Sequence, residues 1–159
     1  MTERLDVYLS GIFCGQISQN EGRSLEFEYS ANYSEENTPL SLSMPVQVKQ
    51  HPNKVIRAFL EGLLPDNENA LRSLGKRFGE SPNNPFSILK HIGRDVAGAI
   101  EMYPEGETPT AIGDRKSFQR LSTDEIEHQL RGKITEYLDG LVINQSTWKI
   151  SIAGAQPKI

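Results

Sequence analysis

The sequence predicts an α+β fold, a small antiparallel, barrel-like sheet with packed helices. Two observations carry this. Through the first thirty positions apolar and polar residues alternate, the period of half-buried strands. Beyond residue 50 the apolar spacing becomes helical, and each helical stretch stops at a proline or glycine before strand-like residues return at 97–103. Helices set between strands in this way fit an α+β domain.

Leu5, Val7 and Leu9 alternate with Asp6 and Tyr8 and predict the first strand. Ser10 and Gly11 signal a turn, and residues 12–17 read as the returning strand. Asn20, Glu21 and Gly22 supply the next turn. Leu25, Phe27 and Tyr29, alternating with Glu26 and Glu28, form the third strand. Residues 30–39 are polar and end at Pro39, which predicts a loop. Residues 40–44 (LSLSM) alternate again and predict an edge strand closed by Pro45.

Asn53 is placed to cap a helix running to about Leu64, with Val55, Phe59, Leu60 and Leu63 on one face and Pro65 ending it. Asp66 or Asn67 caps a second helix to about Phe78, and Gly79 is its left-handed stop. Residues 85–92 predict a short helix stopped by Gly93. Residues 104–117, broken by Pro104, Gly106, Pro109 and Gly113, read as a linker. Ser122 and Glu125 form a capping box, and Leu121 is spaced to staple against Ile126. That helix is expected to fade near Gly132.

The chain has 159 residues, a formal net charge of -4, 36% hydrophobic and 24% charged residues. That length holds one domain, or one domain and the start of another, with a real core. The acidic balance argues against a general affinity for nucleic-acid phosphates. Cys14 is the single cysteine, so an internal disulfide is excluded and a cytoplasmic setting is expected. The first residues lack the apolar core of a signal peptide, and no apolar run is long enough for a membrane span, so no membrane partner is expected.

One stretch suggests chemistry. A β-type run at 148–152 feeds the small-residue loop Ala153, Gly154 and Ala155, with Lys158 close behind. Small residues let backbone N–H groups approach phosphate oxygens, and a lysine adds charge. Small-residue turns are common, however, and the spacing is not that of a Walker A loop. Ser151, before the loop, reads from the pattern alone as an ordinary strand residue. Arg94 and Asp95 after Gly93 read as a structural turn. His51, His91 and His128 lack metal-ligand spacing, and Cys14 falls in a strand pattern that points to the core.

Five segments, taken together and in order, resemble the HipA family of bacterial serine/threonine kinase toxins. They are residues 5–11 (LDVYLSG), 39–45 (PLSLSMP), 59–67 (FLEGLLPDN), 92–99 (IGRDVAGA) and 151–156 (SIAGAQ). The resemblance implies that residues 1–105 are the family's N-terminal subdomain 1, that 106–145 are a linker and helix, and that 146–159 begin a kinase-like core with its first strands. It implies that Ile152, Ala153, Gly154, Ala155, Gln156 and Lys158 belong to an ATP-phosphate loop. Ser151 then matches the family's autophosphorylation site, where nearly two added negative charges would repel that loop from ATP phosphates.

The resemblance also implies cofactors and partners. ATP and magnesium serve the full-length family proteins, and none is expected for this stretch alone. The expected partners are a HipB-like helix-turn-helix antitoxin, with DNA reached only through it, and the remaining kinase core or a separate HipT-like kinase. Glutamyl-tRNA synthetase is the family substrate, and its modification arrests translation. The family's kinase lysine, catalytic aspartate and magnesium ligands match nothing in this sequence. Phosphoryl transfer depends on such positioned charge, so these residues alone are expected to be inert. Two other readings stay open, a stand-alone HipS-like antitoxin that docks on a kinase, and an inactive remnant.

Overall fold

In a computed structural model, the structure describes residues 2–109 and 121–138. Strands β1 (Glu3–Leu9), β2 (Ile12–Gln19) and β3 (Leu25–Tyr29) come first. Helices α1 (Asn53–Glu61), α2 (Glu68–Phe78) and α3 (Pro85–Ile92) follow, then a 3-10 turn, Gly93–Asp95. Strand β4 (Ile100–Pro104) and helix α4 (Thr123–Leu138) complete the described elements. The α+β class expected from sequence is the class observed. The sheet has the order β3-β2-β1-β4, with every pairing antiparallel, and among the described residues its edges are β3 and β4. The kinase-like strands expected at 146–159 lie outside the described residues.

Local signals explain many boundaries. Ser10 and Gly11 both take positive φ, 54° and 80°, the backbone that a two-residue hairpin needs to follow the strand twist. Asn67 caps α2, accepting from Asn69 N at 2.8 Å and Ala70 N at 3.3 Å, and Gly79 closes it at φ 70°. Pro85 opens α3, where its missing N–H costs nothing. Ser122 and Glu125 form the capping box of α4, with Ser122 N donating to Glu125 Oε2 at 2.7 Å and Glu125 N to Ser122 Oγ at 3.3 Å. That acceptor role holds the Glu125 carboxyl below its ordinary pKa.

Other boundaries depart from expectation. Asn53 does not cap α1. Pro52 holds that position, while the Asn53 side chain accepts a hydrogen bond from Leu25 N at 3.0 Å and so covers part of the open edge of β3. The helix ends at Glu61 rather than Leu64, and the last two leucines continue as turns. Residues 40–44 form no strand. Ser41 and Met44 bridge one another in a tight turn, with Met44 N donating to Ser41 O at 2.9 Å. Leu40 and Met44 are buried, but Leu42 at the tip is 95% exposed. Gly93 stops α3 in a right-handed conformation. Its value is proximity, because a Cβ there would come within 2.7 Å of Met102 Cβ. Strand β4 begins at Ile100 rather than 97, since Gly98 turns the chain at φ 84°. Helix α4 runs through Gly132 to Leu138, so that one glycine, costing about 1 kcal/mol, does not end it.

The core lies between one sheet face and the helices. Leu5, Val7, Ile17, Ile56, Leu60 and Phe86 are fully buried there. Burying each such side chain contributes about 1.5–3 kcal/mol. Cys14 is also sealed in this core, as its strand pattern suggested.

Candidate functional site

With helices on one face of the sheet, the other face presents the side chains that alternate out of the core. The cross-strand pairs Asp6↔Tyr103, Asp6↔Gln16, Tyr8↔Phe13 and Gln16↔Glu28 place these residues together on it. Phe13 reaches this face because of an irregularity in β2. Val7 opposes Gly15 and Tyr8 opposes Phe13, so Cys14 is an extra, bulged residue. Without the bulge, Phe13 would share a face with the buried Ile17.

An aromatic row results. The Phe13 and Tyr8 rings are 5.4 Å apart, tilted by 58°. The Tyr8 and Tyr103 rings meet edge to face at 5.7 Å. The Arg94 guanidinium lies over Tyr103, 5.5 Å from its centroid, and ion-pairs with Glu107. The Tyr103 hydroxyl donates to Glu101 Oε2 at 2.7 Å. Burial, and secondarily the Asp6 charge, raises the Tyr8 pKa, so this phenol stays neutral. Carboxylates of Glu26, Glu28 and Glu105 also stand exposed on β3 and just past β4.

At the Phe13 end an open groove of about 250 Å³ is lined by Phe13, Gly15, Gln16, Glu28, Tyr29 and the adjoining loop residues. Gly15 is required here, because a Cβ at this position would fall 2.1 Å from Glu28 O. Gln16 Nε2 donates to Asp6 Oδ1 at 2.8 Å, using one of its two amide N–H groups. Behind the groove, the Tyr29 hydroxyl donates to Met44 O at 2.5 Å and accepts from Leu40 N at 3.0 Å. This hydroxyl fixes both arms of the 40–44 turn that presents Leu42.

This surface offers ring faces, carboxylates and a side-chain amide. Burial pushes the Cys14 thiol up, so it is a poor nucleophile. Tyr33, beside it, is pushed up to about 12 by burial and by Cys14. Among the described residues no group of three or more His, Cys, Asp or Glu side chains is arranged to hold a metal ion. None of their helices is long and apolar enough to cross a membrane. His91 sits 3.3 Å from Glu80 and stacks on Phe78, a local surface contact. Ser151, Ile152, Ala153, Gly154, Ala155, Gln156 and Lys158 all lie outside the described residues. The aromatic row itself escaped sequence reasoning. Its signal was the Tyr8–Phe13 pair flanking the Ser10-Gly11 turn, masked by the bulge at Cys14.

The chain is similar to known proteins. A family profile described as "HipA N-terminal domain" matches residues 5–103. The putative kinase Y4mE of Sinorhizobium fredii is 34% identical over 167 aligned positions, which cover 100% of this chain and 38% of that protein. The serine/threonine-protein kinase toxin HipA of Shewanella oneidensis is 26% identical over 163 positions, covering 99% of this chain and 35% of that one. A solved complex of the Shewanella oneidensis MR-1 toxin–antitoxin proteins HipA and HipB with operator DNA contains a chain of similar fold. The TM-score is 0.65 at 26% identity, over 98% of this chain and 34% of the other. The chain thus spans little more than a third of the relatives it matches.

Proposed function

Because the chain belongs to the HipA N-terminal domain family, we propose that it is the N-terminal part of a HipA-like serine/threonine kinase toxin and serves there as a docking subdomain. The observation that carries this is the coincidence of the family match, residues 5–103, with the sheet-and-helix unit that encloses its own core. Kinase chemistry belongs, on this reading, to the larger part of such proteins that the chain does not span. The 159 residues alone then transfer no phosphate.

Within the whole protein, residues 152–156 and Lys158 hold ATP phosphates, magnesium accompanies the nucleotide, and Ser151 is the regulatory phosphosite. The substrate is glutamyl-tRNA synthetase and the setting is cytoplasmic. A HipB-like helix-turn-helix antitoxin is the partner, and the similar fold in a HipA–HipB–DNA complex supports that choice. DNA is contacted through the antitoxin, consistent with a net charge of -4 on this chain. A second reading, a separate HipS-like module docking on a HipT-like kinase, draws support from the self-contained core.

Co-purification tests the docking role. The tagged chain is expressed with the helix-turn-helix protein encoded beside it and, separately, with a neighbouring kinase. The antitoxin complex is expected at micromolar concentration. A complex with the kinase alone favours the second reading, and no complex with either removes the docking role.

A further inference from the structure

The aromatic row carries an arginine at its β4 end and borders an open groove at its β2 end. At the β4 end, Arg94 is held by the Tyr103 ring and the Glu107 carboxylate, with Glu101 bonded to the Tyr103 hydroxyl. A ring face beside a carboxylate suits a guanidinium, which stacks flat while its N–H groups bond outward. At the β2 end the same components recur. Phe13 is 40% exposed, and Glu28 lines the same groove, exposed and without an ion-pair partner among the described residues. Gln16, turned by its bond to Asp6, offers its carbonyl oxygen as an acceptor.

We propose that the groove formed by Phe13, Gln16 and Glu28 is a docking pocket for an arginine side chain of a partner protein. Charge decides the occupant. Asp6, Glu26, Glu28 and Glu101 dominate this face, while Arg4 is paired with Glu105 and Arg94 with Glu107. A nucleic acid is repelled by such a surface, and so is a second copy presenting the same face. A basic protein segment is attracted. Arginine is preferred to lysine because several acceptors and a ring reward a planar group with many donors. The inference rests on the groove's chemistry and holds whichever kinase reading is correct.

The test is amide chemical-shift mapping on the full 159-residue chain. The probes are blocked Gly-Gly-Arg-Gly-Gly and its lysine and citrulline counterparts. The arginine peptide is expected to shift Phe13, Gln16, Glu28, Ser30 and Ala31 together, the lysine peptide to bind about threefold more weakly, and the citrulline peptide not to bind. Glu28→Gln and Phe13→Ser, both at exposed positions, are each expected to weaken the arginine peptide about fivefold, while Glu68→Gln, on α2 and away from this face, leaves it unchanged. Shifts spread evenly over the acidic surface overturn the proposal. Equal binding of lysine and arginine does so too, as does concentration-dependent shifting of the groove without peptide, which would mean a second copy covers it.

Discussion

Gln19 and Asn84 face each other through a reciprocal amide pair that ties the end of β2 to the start of α3. Gln19 Nε2 donates to Asn84 Oδ1 at 3.1 Å, and Asn84 Nδ2 returns the bond to Gln19 Oε1 at 2.9 Å. Asn84 Nδ2 also donates to Ser87 Oγ at 2.6 Å. All three side chains are buried, so each amide depends on the other for satisfaction. Asn84→Ala is expected to cost about 1–3 kcal/mol, since it strands the Gln19 amide. The double variant Gln19→Leu/Asn84→Leu should cost less than the two single changes added together. Urea unfolding midpoints measure both.

Gly15→Ala is expected to force β3 away from β2, because its Cβ would lie 2.1 Å from Glu28 O, a backbone atom that cannot swing aside. The loss should reach about 1–3 kcal/mol. Gly22→Ala meets only the Asn20 side chain, at 3.3 Å, and should stay within about 0.5 kcal/mol. Thermal melts of the two variants make the comparison.

Tyr29→Phe removes one hydroxyl that serves two backbone groups, Met44 O and Leu40 N. A cost of about 1–3 kcal/mol is expected. The 40–44 turn should also open to proteolysis beside Leu42, which digestion followed by mass spectrometry will locate.

His51 makes stability fall in acid. Its Nε2 is buried with no hydrogen-bond partner among the described residues, and its ring lies against Phe27 and Tyr29. Burial lowers its pKa below the ordinary 6.5. The unfolded chain therefore takes up the proton first, so stability is complete above about pH 6.5 and declines as pH falls below it. His51→Phe should leave stability at pH 7.5 nearly unchanged and flatten its decline toward pH 5. Equal slopes for variant and parent would exclude His51 as the source.

On the proposed kinase reading, Ser151→Ala in the full-length protein abolishes self-inactivation while transfer to glutamyl-tRNA synthetase continues. Phosphopeptide mapping checks it. Unchanged autophosphorylation in the variant would remove Ser151 from that role.

Features confined to neighbouring residues are legible in the sequence. Asn67 and Gly79 around α2, Ser122 with Glu125, and Ser10 with Gly11 each act within one turn of backbone, so residue type and spacing suffice. Asn53 and residues 40–44 misled for the opposite reason. An asparagine before a helix looks like a cap until a strand edge offers it Leu25 N, and an alternating pentapeptide looks like a strand until Tyr29 satisfies its backbone.

By itself the sequence determined the α+β class, the β1–β2 hairpin, the principal helices and, through five ordered segments, the family resemblance. It also suggested a phosphate loop at residues 152–156 with Lys158, which lie outside the described residues. Tertiary structure alone decided which way Phe13 faces, because a single bulged residue reverses the sides of a strand. It alone set Arg94 on Tyr103 and brought Phe13 and Glu28 to one groove. Such long-range contacts follow from packing between elements, and local spacing carries no record of them.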